Sequence, residues 1–161
     1  MKLCNIELRL ISMQQKTSYT DRVQIIFRVA ISVTLFSAVA DRLGYWGDQS
    51  TWGNWANFEA YTGQLLFFLP HSMVAVAGVI ATIFEKAFVI LLHIGHKRRL
   101  VAILTGSLLV LFGASMVLAL GLKPTLDYSV WVGASACYLL AGIPYYKFSI
   151  DQLNNKKWKK D

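Results

Sequence analysis

Charge is scarce in this sequence, and acidic charge is scarcer than basic charge. Only 16% of the 161 residues are charged, with nine Asp and Glu against sixteen Lys and Arg. A soluble domain usually has about 25% charged residues, and a composition that is 55% hydrophobic leaves little polar surface to cover one. We therefore expect the lipid bilayer to be the solvent for most of the chain.

Cysteine and histidine are too few and too scattered for several kinds of chemistry. The two cysteines, Cys4 and Cys137, lie far apart with no C-x-x-C pair, which argues against thiol redox catalysis. The three histidines form no cluster with carboxylates, so no metal site is predicted. The sequence also lacks a phosphate-binding glycine loop, a nucleophile elbow and a dinucleotide fingerprint. No class of soluble enzyme is indicated.

Long apolar runs are what the sequence does contain. Four segments approach the roughly 20 residues that a helix needs to cross about 30 Å of hydrocarbon, and they cover residues 23–43, 72–94, 100–122 and 128–147. The third, LVAILTGSLLVLFGASMVLALGL, has no ionisable residue and would have no aqueous face in a soluble fold. We predict an all-α integral membrane protein, with residues 1–161 forming one membrane domain built as a four-helix bundle.

Lysine and arginine are distributed unevenly around these segments. Only Arg42, at the end of the first segment, and Lys123 fall on the side of the first and third connections, whereas twelve of the sixteen precede the first segment, join the second to the third, or follow or close the fourth. Because cations are retained on the cytoplasmic side, both termini are predicted to be cytoplasmic in a multi-pass protein of the bacterial cytoplasmic (inner) membrane. The basic tail, residues 148–161, is expected to face anionic lipid rather than nucleic acid.

Aromatic residues crowd the stretch WGNWANFEAYTGQLLFFLP between the first two segments. The charge distribution puts it outside, and its helical spacing over about residues 52–68 predicts an amphipathic helix lying in the plane of the membrane. One interpretation is an aromatic belt that anchors the bundle. The other is a lid across the outer mouth of the bundle, formed by Trp52, Trp55, Phe58, Glu59 and Tyr61.

Three charges, Arg28, Glu85 and Lys86, fall well inside the predicted helices, where an unpaired ionisable group costs a few kcal/mol. Lys86 is expected to reach the cytoplasmic headgroups. Arg28 and Glu85 have similar depths when counted from the predicted cytoplasmic ends of their helices, so we predict that they pair. Glu85 shares a helix face with the small residues Gly78 and Ala81, which predicts that it points into the bundle. Asp41 and Arg42 end the first segment and are expected to be solvated.

Several stretches resemble a known family: RVAISVTLFSAVADRLGYWG, FEKAFVILLHIGHKRRLVAI and the glycine-bearing third segment. Over roughly residues 23–146 the chain resembles the DoxX/DoxD family of small four-helix bacterial membrane proteins. In that family an Arg begins the first helix, a Glu lies within the second and a basic turn precedes the third. These features fall on Arg28, Glu85 and Arg98 or Arg99. The resemblance implies a quinone-linked redox role with a soluble partner subunit.

Two functions remain open at this stage. The chain could be a small quinone-interacting subunit of a membrane redox complex, with Glu85 bonding to a quinone oxygen and Arg28 keeping Glu85 anionic. Alternatively it is a non-catalytic membrane scaffold or accessory protein, alone or as a homo-oligomer, whose intramembrane charges are structural. A transporter or channel is disfavoured because four helices leave little room for a pore and the sequence shows no broken helix.

Overall fold

The described part of the chain is helical throughout its regular structure, as predicted. The computed structural model describes the backbone of residues 2–144 and 147–151, with side chains from Tyr19 onward. A short 3₁₀ turn at Gly47–Gln49 follows the first helix. The six α-helices are α1 (Lys2–Arg42), α2 (Trp55–Leu65), α3 (His71–Ile94), α4 (Arg98–Leu120), α5 (Leu122–Asp127) and α6 (Val130–Gly142).

Three helices are long and apolar enough to cross a membrane: residues Tyr19–Arg42 of α1, all of α3 and all of α4. Helices α3 and α4 begin and end within two residues of the second and third predicted segments. The first segment was predicted to begin at residue 23, but α1 begins at Lys2. The reason is that no glycine or proline, the two strongest helix breakers, occurs before Gly44.

The fourth apolar segment forms a shorter helix than predicted. Helix α6 has 13 residues and is about 20 Å long, less than the predicted span over 128–147. It begins after Ser129, which has a left-handed backbone (φ 53°). It ends before Ile143, which is extended because the following Pro144 disfavours the helical conformation there. The basic tail was predicted over 148–161, and residues 152–161 of it lie outside the described part of the chain.

Helix α1 packs antiparallel against α3. Arg28 donates a hydrogen bond to the Leu92 carbonyl at 2.9 Å, while Arg42, 14 residues further along α1, bonds to Thr82 at 2.8 Å. Helix α1 therefore stops well short of His71, where α3 begins. Gly44 ends α1 in the left-handed conformation (φ 77°), with its Cβ position only 2.7 Å from the Gly53 carbonyl oxygen, so only glycine fits this turn.

Helix α2 fills the space that α1 leaves alongside α3. Phe58 contacts Gly78, and five residues later Gly63 lies near Val74. These contacts move along both helices by similar distances, so α2 runs beside α3 in the opposite direction. Gly78 provides the groove into which the Phe58 ring packs. The orientation of this helix relative to the membrane plane stays a prediction.

Helix α6 packs against α4 at a matching height. Gly113 of α4 contacts Val130, the first residue of α6, and Gly106 contacts Cys137. Gly113 lies 15 residues after Arg98, and Gly78 lies 16 residues before Ile94, so both are about 22–24 Å from the turn that joins α3 to α4. We call that turn the hairpin end and the opposite end of α3 and α4 the far end. Helix α6 begins at this height, and Arg42, the last residue of α1, bonds to Thr82, one turn of α3 nearer the hairpin end.

Two apolar cores follow from this arrangement. Near the hairpin end, α1 contacts α3 and α6, and α4 contacts both of the same helices. This core contains Ile31, Leu35, Phe88, Leu92, Val101, Ala102, Cys137, Leu140 and Ala141. Toward the far end, α2 takes the place of α1, and a second core forms from Leu65, Met116 and Val130. Different helices thus pack against α3 and α4 at the two levels.

Replacing Gly106 with leucine should destabilise the fold. A Cβ at this position would lie 3.1 Å from the Cys137 Cβ and 3.2 Å from the Tyr138 ring. Such overpacking costs about 1–3 kcal/mol, and thermal unfolding in detergent should show a lower midpoint. Gly142→Leu is the matched control, since nothing lies within 4 Å of its Cβ position. Equal midpoints for the two variants would contradict the close approach of α4 and α6.

Candidate functional site

A buried ion pair joins the end of α1 to the middle of α3. The Arg42 guanidinium donates two hydrogen bonds to the Glu85 carboxylate, from Nη1 to Oε2 at 2.5 Å and from Nη2 to Oε1 at 3.0 Å. The Arg42 and Glu85 side chains are 4% and 13% exposed. Arg42 also donates to the Thr82 hydroxyl, which in turn donates to the Gly78 carbonyl at 2.8 Å. This two-pronged geometry is the strongest that a guanidinium makes with a carboxylate.

Aromatic rings cover the guanidinium. The Arg42 Cζ lies 4.1 Å from the centre of the Phe58 ring and 5.5 Å from that of Trp52. Trp52 also contacts Phe58 and Tyr61, and Trp55 contacts Phe58, with ring centres 5.2–5.6 Å apart. A cation over aromatic faces is attracted by the ring quadrupoles, and the attraction strengthens when water is excluded.

The neighbouring carboxylate of Asp41 holds the loop that carries Trp52. Its two oxygens accept hydrogen bonds from the backbone N–H groups of Thr51, Trp52 and Gly53 at 2.8, 2.9 and 3.1 Å. Asp41 and Arg42 are only 8% and 3% exposed. The prediction that these two residues are solvated is therefore wrong, because the segment after Gly44 folds back over them. Together they tie the aromatic segment to the end of α1.

Arg28 lies near the hairpin end and caps the end of α3. Its guanidinium donates to the backbone carbonyls of Leu92 and His93 at the end of α3, and to that of Lys147 at 3.0 Å. The last carbonyls of a helix lack partners within the helix and carry partial negative charge, so an arginine is a favourable cap there. Gln24 supports this cap by accepting from Arg28 at 3.3 Å.

The predicted pairing of Arg28 with Glu85 is therefore wrong. Arg28 lies beside Leu92 and His93, seven to eight residues from Glu85 along α3, a separation of about 10–12 Å. Depth in the sequence was counted from assumed helix ends, but α1 runs past the hairpin end and stops early at the other. The available signal was the pair Asp41 and Arg42 just before a glycine and an aromatic segment.

The predicted lid residues separate into two groups. Trp52, Trp55, Phe58 and Tyr61 form the ring cluster over Arg42. Glu59 is half-buried on the same helix, and the described part of the chain shows no hydrogen bond or ion pair for it. Burial, and then the nearby Tyr128, raise the pKa of the Tyr61 phenol above its usual value. Tyr61 thus stays neutral at physiological pH and contributes a polar but uncharged edge.

The other residues with reactive or metal-binding side chains do not form a catalytic or metal site in the described part of the chain. Cys137 is a free, fully buried thiol in the core near the hairpin end. Among the described residues, no three His, Cys, Asp or Glu side chains come close enough to hold a metal ion. At the hairpin end, Asp151 accepts from the Lys97 and Arg98 amides at 3.0 Å and caps the start of α4.

The chain matches no family model, no curated protein and no solved structure. The resemblance to the DoxX/DoxD family therefore rests on its short sequence motifs.

Removing one member of the Arg42–Glu85 pair should cost more than removing both. Arg42→Leu and Glu85→Leu should each destabilise the protein by about 3–5 kcal/mol, because each strands a buried charge. The double variant should be more stable than either single one. Thermal unfolding of all three in the same detergent measures this coupling.

A matched pair on the surface provides the control for that cycle. Lys123 and Asp127 also form an ion pair, at 2.6 Å, but it is exposed. Leucine substitutions there should change stability by only about 0–1 kcal/mol and show little coupling. Additive losses at Arg42 and Glu85 would contradict the buried pairing.

Neutralising Asp41 should release the aromatic segment. Asp41→Asn keeps the shape but loses the charge that accepts three amide hydrogen bonds, and such bonds contribute about 1.5–3 kcal/mol when an ion takes part. We expect a lower unfolding midpoint and faster proteolysis between residues 43 and 54. Asp48→Asn, in the same loop but exposed, should match the unmodified protein. An Asp41→Asn variant as protease-resistant as that control would rule out the clamp.

Proposed function

We propose that this chain is a DoxX-like protein of the bacterial inner membrane, a four-helix bundle with both termini in the cytoplasm. Its role is that of a non-catalytic accessory or scaffold protein, which acts through a partner rather than through chemistry of its own. The hairpin end, with Lys97, Arg98 and Arg99, then faces the cytoplasm, and the aromatic segment lies toward the outside.

The exposed faces of the long helices support a place in the bilayer. Large apolar side chains on α1, α3 and α4 have more than half of their surface exposed, although the remainder of each helix is packed against its neighbours. A water-soluble protein rarely shows apolar surface of this extent. Examples from the three helices are Val33, Phe36, Val76, Ile83, Leu111 and Leu118.

The observation that carries the accessory role is the engagement of the intramembrane charges. Glu85, the one carboxylate in the middle of a spanning helix, has both oxygens bonded to Arg42. Arg28 is engaged by the carbonyls at the end of α3 and by residues of the C-terminal segment. The contacts of these charged groups are made with other helices and segments of the chain, so joining those parts accounts for their place in the bundle.

A second function, quinone binding in a membrane redox complex, is favoured by one observation. The rings of Trp52, Phe58 and Tyr61 surround a guanidinium next to a carboxylate, and a flat quinone ring could stack there while its oxygens meet Arg42. For this second function, these contacts support Arg42 and Glu85, rather than Arg28, as the residues that would meet the quinone.

Extraction of the purified protein separates the two functions. Mildly solubilised protein is extracted with organic solvent, and co-purifying quinone is quantified by mass spectrometry. The accessory role predicts only background quinone in the unmodified protein, in Glu85→Gln and in Lys123→Gln, a surface control. Stoichiometric quinone that is lost in Glu85→Gln but retained in Lys123→Gln would overturn the accessory role and establish a quinone site.

A further inference from the structure

Helix α1 is followed by an irregular segment rather than by a continuous helix. It ends at Arg42, the chain makes a detour of twelve residues, and α2 continues alongside α3 from the height at which α1 stops. Helix α6 begins at a matching height on α4. In membrane proteins, interruptions between helices place polar groups where ligands bind, because the backbone and its charged neighbours are no longer covered by a continuous helix.

The last residue of α1, Arg42, has a hydrogen-bond donor without an acceptor. Arg42 is 3% exposed, and its Nε–H is buried with no hydrogen-bond partner among the described residues, although the two terminal nitrogens are bonded. The Ser50 hydroxyl, in the detour, is also buried without a partner. A buried donor left unsatisfied costs about 1–3 kcal/mol, so such a group calls for a ligand or an ordered water.

The chemistry around Arg42 selects the class of ligand. The guanidinium fork already holds a carboxylate in the two-bonded geometry that any carboxylate, sulfonate or phosphate monoester would adopt. Phe58 and Trp52 provide apolar walls beside it. An anionic head on an apolar body therefore fits both parts, whereas a strongly hydrated inorganic anion would gain nothing from the rings.

We propose that Arg42 binds an amphiphilic monoanion, which accepts a hydrogen bond from the free Nε–H and takes the place of Glu85 on the guanidinium when Glu85 takes up a proton. One proton enters the site with each anion, so the charge of the occupied site is unchanged. The proposal goes beyond the accessory role and does not rest on it, since a protein without catalytic activity can still bind a ligand.

Few other charged or titratable groups act on this site. Asp41 is the nearest, and its carboxylate is held by the loop amides. Helix α4 has no ionisable residue between residues 100 and 120. On the other packed helices the titratable groups are Glu59 and Tyr61 of α2, His71, Lys86 and His93 of α3, and Cys137 and Tyr138 of α6, while Tyr128 precedes α6 and lies near Tyr61. Glu85 is the carboxylate bonded to Arg42, so its protonation controls access to the guanidinium.

Binding of naphthalene-2-sulfonate to the detergent-solubilised protein tests the proposal by equilibrium dialysis. This probe is ionised throughout the accessible pH range, so any pH dependence reports on the protein. Protonation of Glu85 removes a competing negative charge, and the affinity should therefore rise as pH falls, by tenfold or more between pH 8 and pH 5. Glu85→Gln should bind at both pH values with the affinity that the unmodified protein reaches at low pH.

The variants at Arg42 and on the surface complete the test. Arg42→Gln should lose saturable binding, and Lys123→Gln should behave as the unmodified protein does. If Arg42→Gln does not fold, the double variant Arg42→Gln with Glu85→Gln, which removes both charges, should fold and fail to bind. Uptake that is non-saturable and equal in all variants shows partition into micelles only and overturns the proposal. Saturable binding that survives loss of Arg42 overturns it as well.

Discussion

A guanidinium and a carboxylate buried among apolar helices are stable only as an ion pair, and the arrangement of the first three helices depends on the pairing of Arg42 with Glu85. Unpaired, either charge would cost several kcal/mol in this environment. The pair ties the end of α1 to the middle of α3. Because α1 stops there, α2 packs along the next part of α3, and the rings of Trp52 and Phe58 close over the guanidinium.

Asp41 and Arg42, the last two residues of α1, contact different parts of the chain. Asp41 turns toward the loop and gathers three backbone amides, which sets the position of Trp52. Arg42 turns toward α3 and lies under that ring. The ion pair and the aromatic segment are thus coupled through two neighbouring side chains, so a change in the ion pair affects the position of the aromatic segment, and the reverse. Gly44 makes the coupling possible, since its left-handed backbone brings Gly53 against it.

Much of the helical framework could be predicted from local pattern. Uninterrupted apolar runs of spanning length located α3 and α4 almost to the residue, because the bilayer requirement on length and polarity acts on each helix by itself. The aromatic segment and the importance of Glu85 were also evident from composition and helical spacing. The partner of Glu85 could not be predicted from the sequence, since a small shift in where α1 begins and ends changes which arginine reaches Glu85.

The sequence by itself therefore determined that this is an all-helical chain with long apolar segments, three of which form helices of membrane-spanning length, and that its rare internal charges need partners. Tertiary structure alone decided that Arg42 pairs with Glu85, that Arg28 caps α3, and that α2 stands beside α3 instead of crossing it. The physical reason is that hydropathy is a property of each segment. The height at which two helices meet depends on close contacts between distant residues, such as Phe58 against Gly78 and Val130 against Gly113.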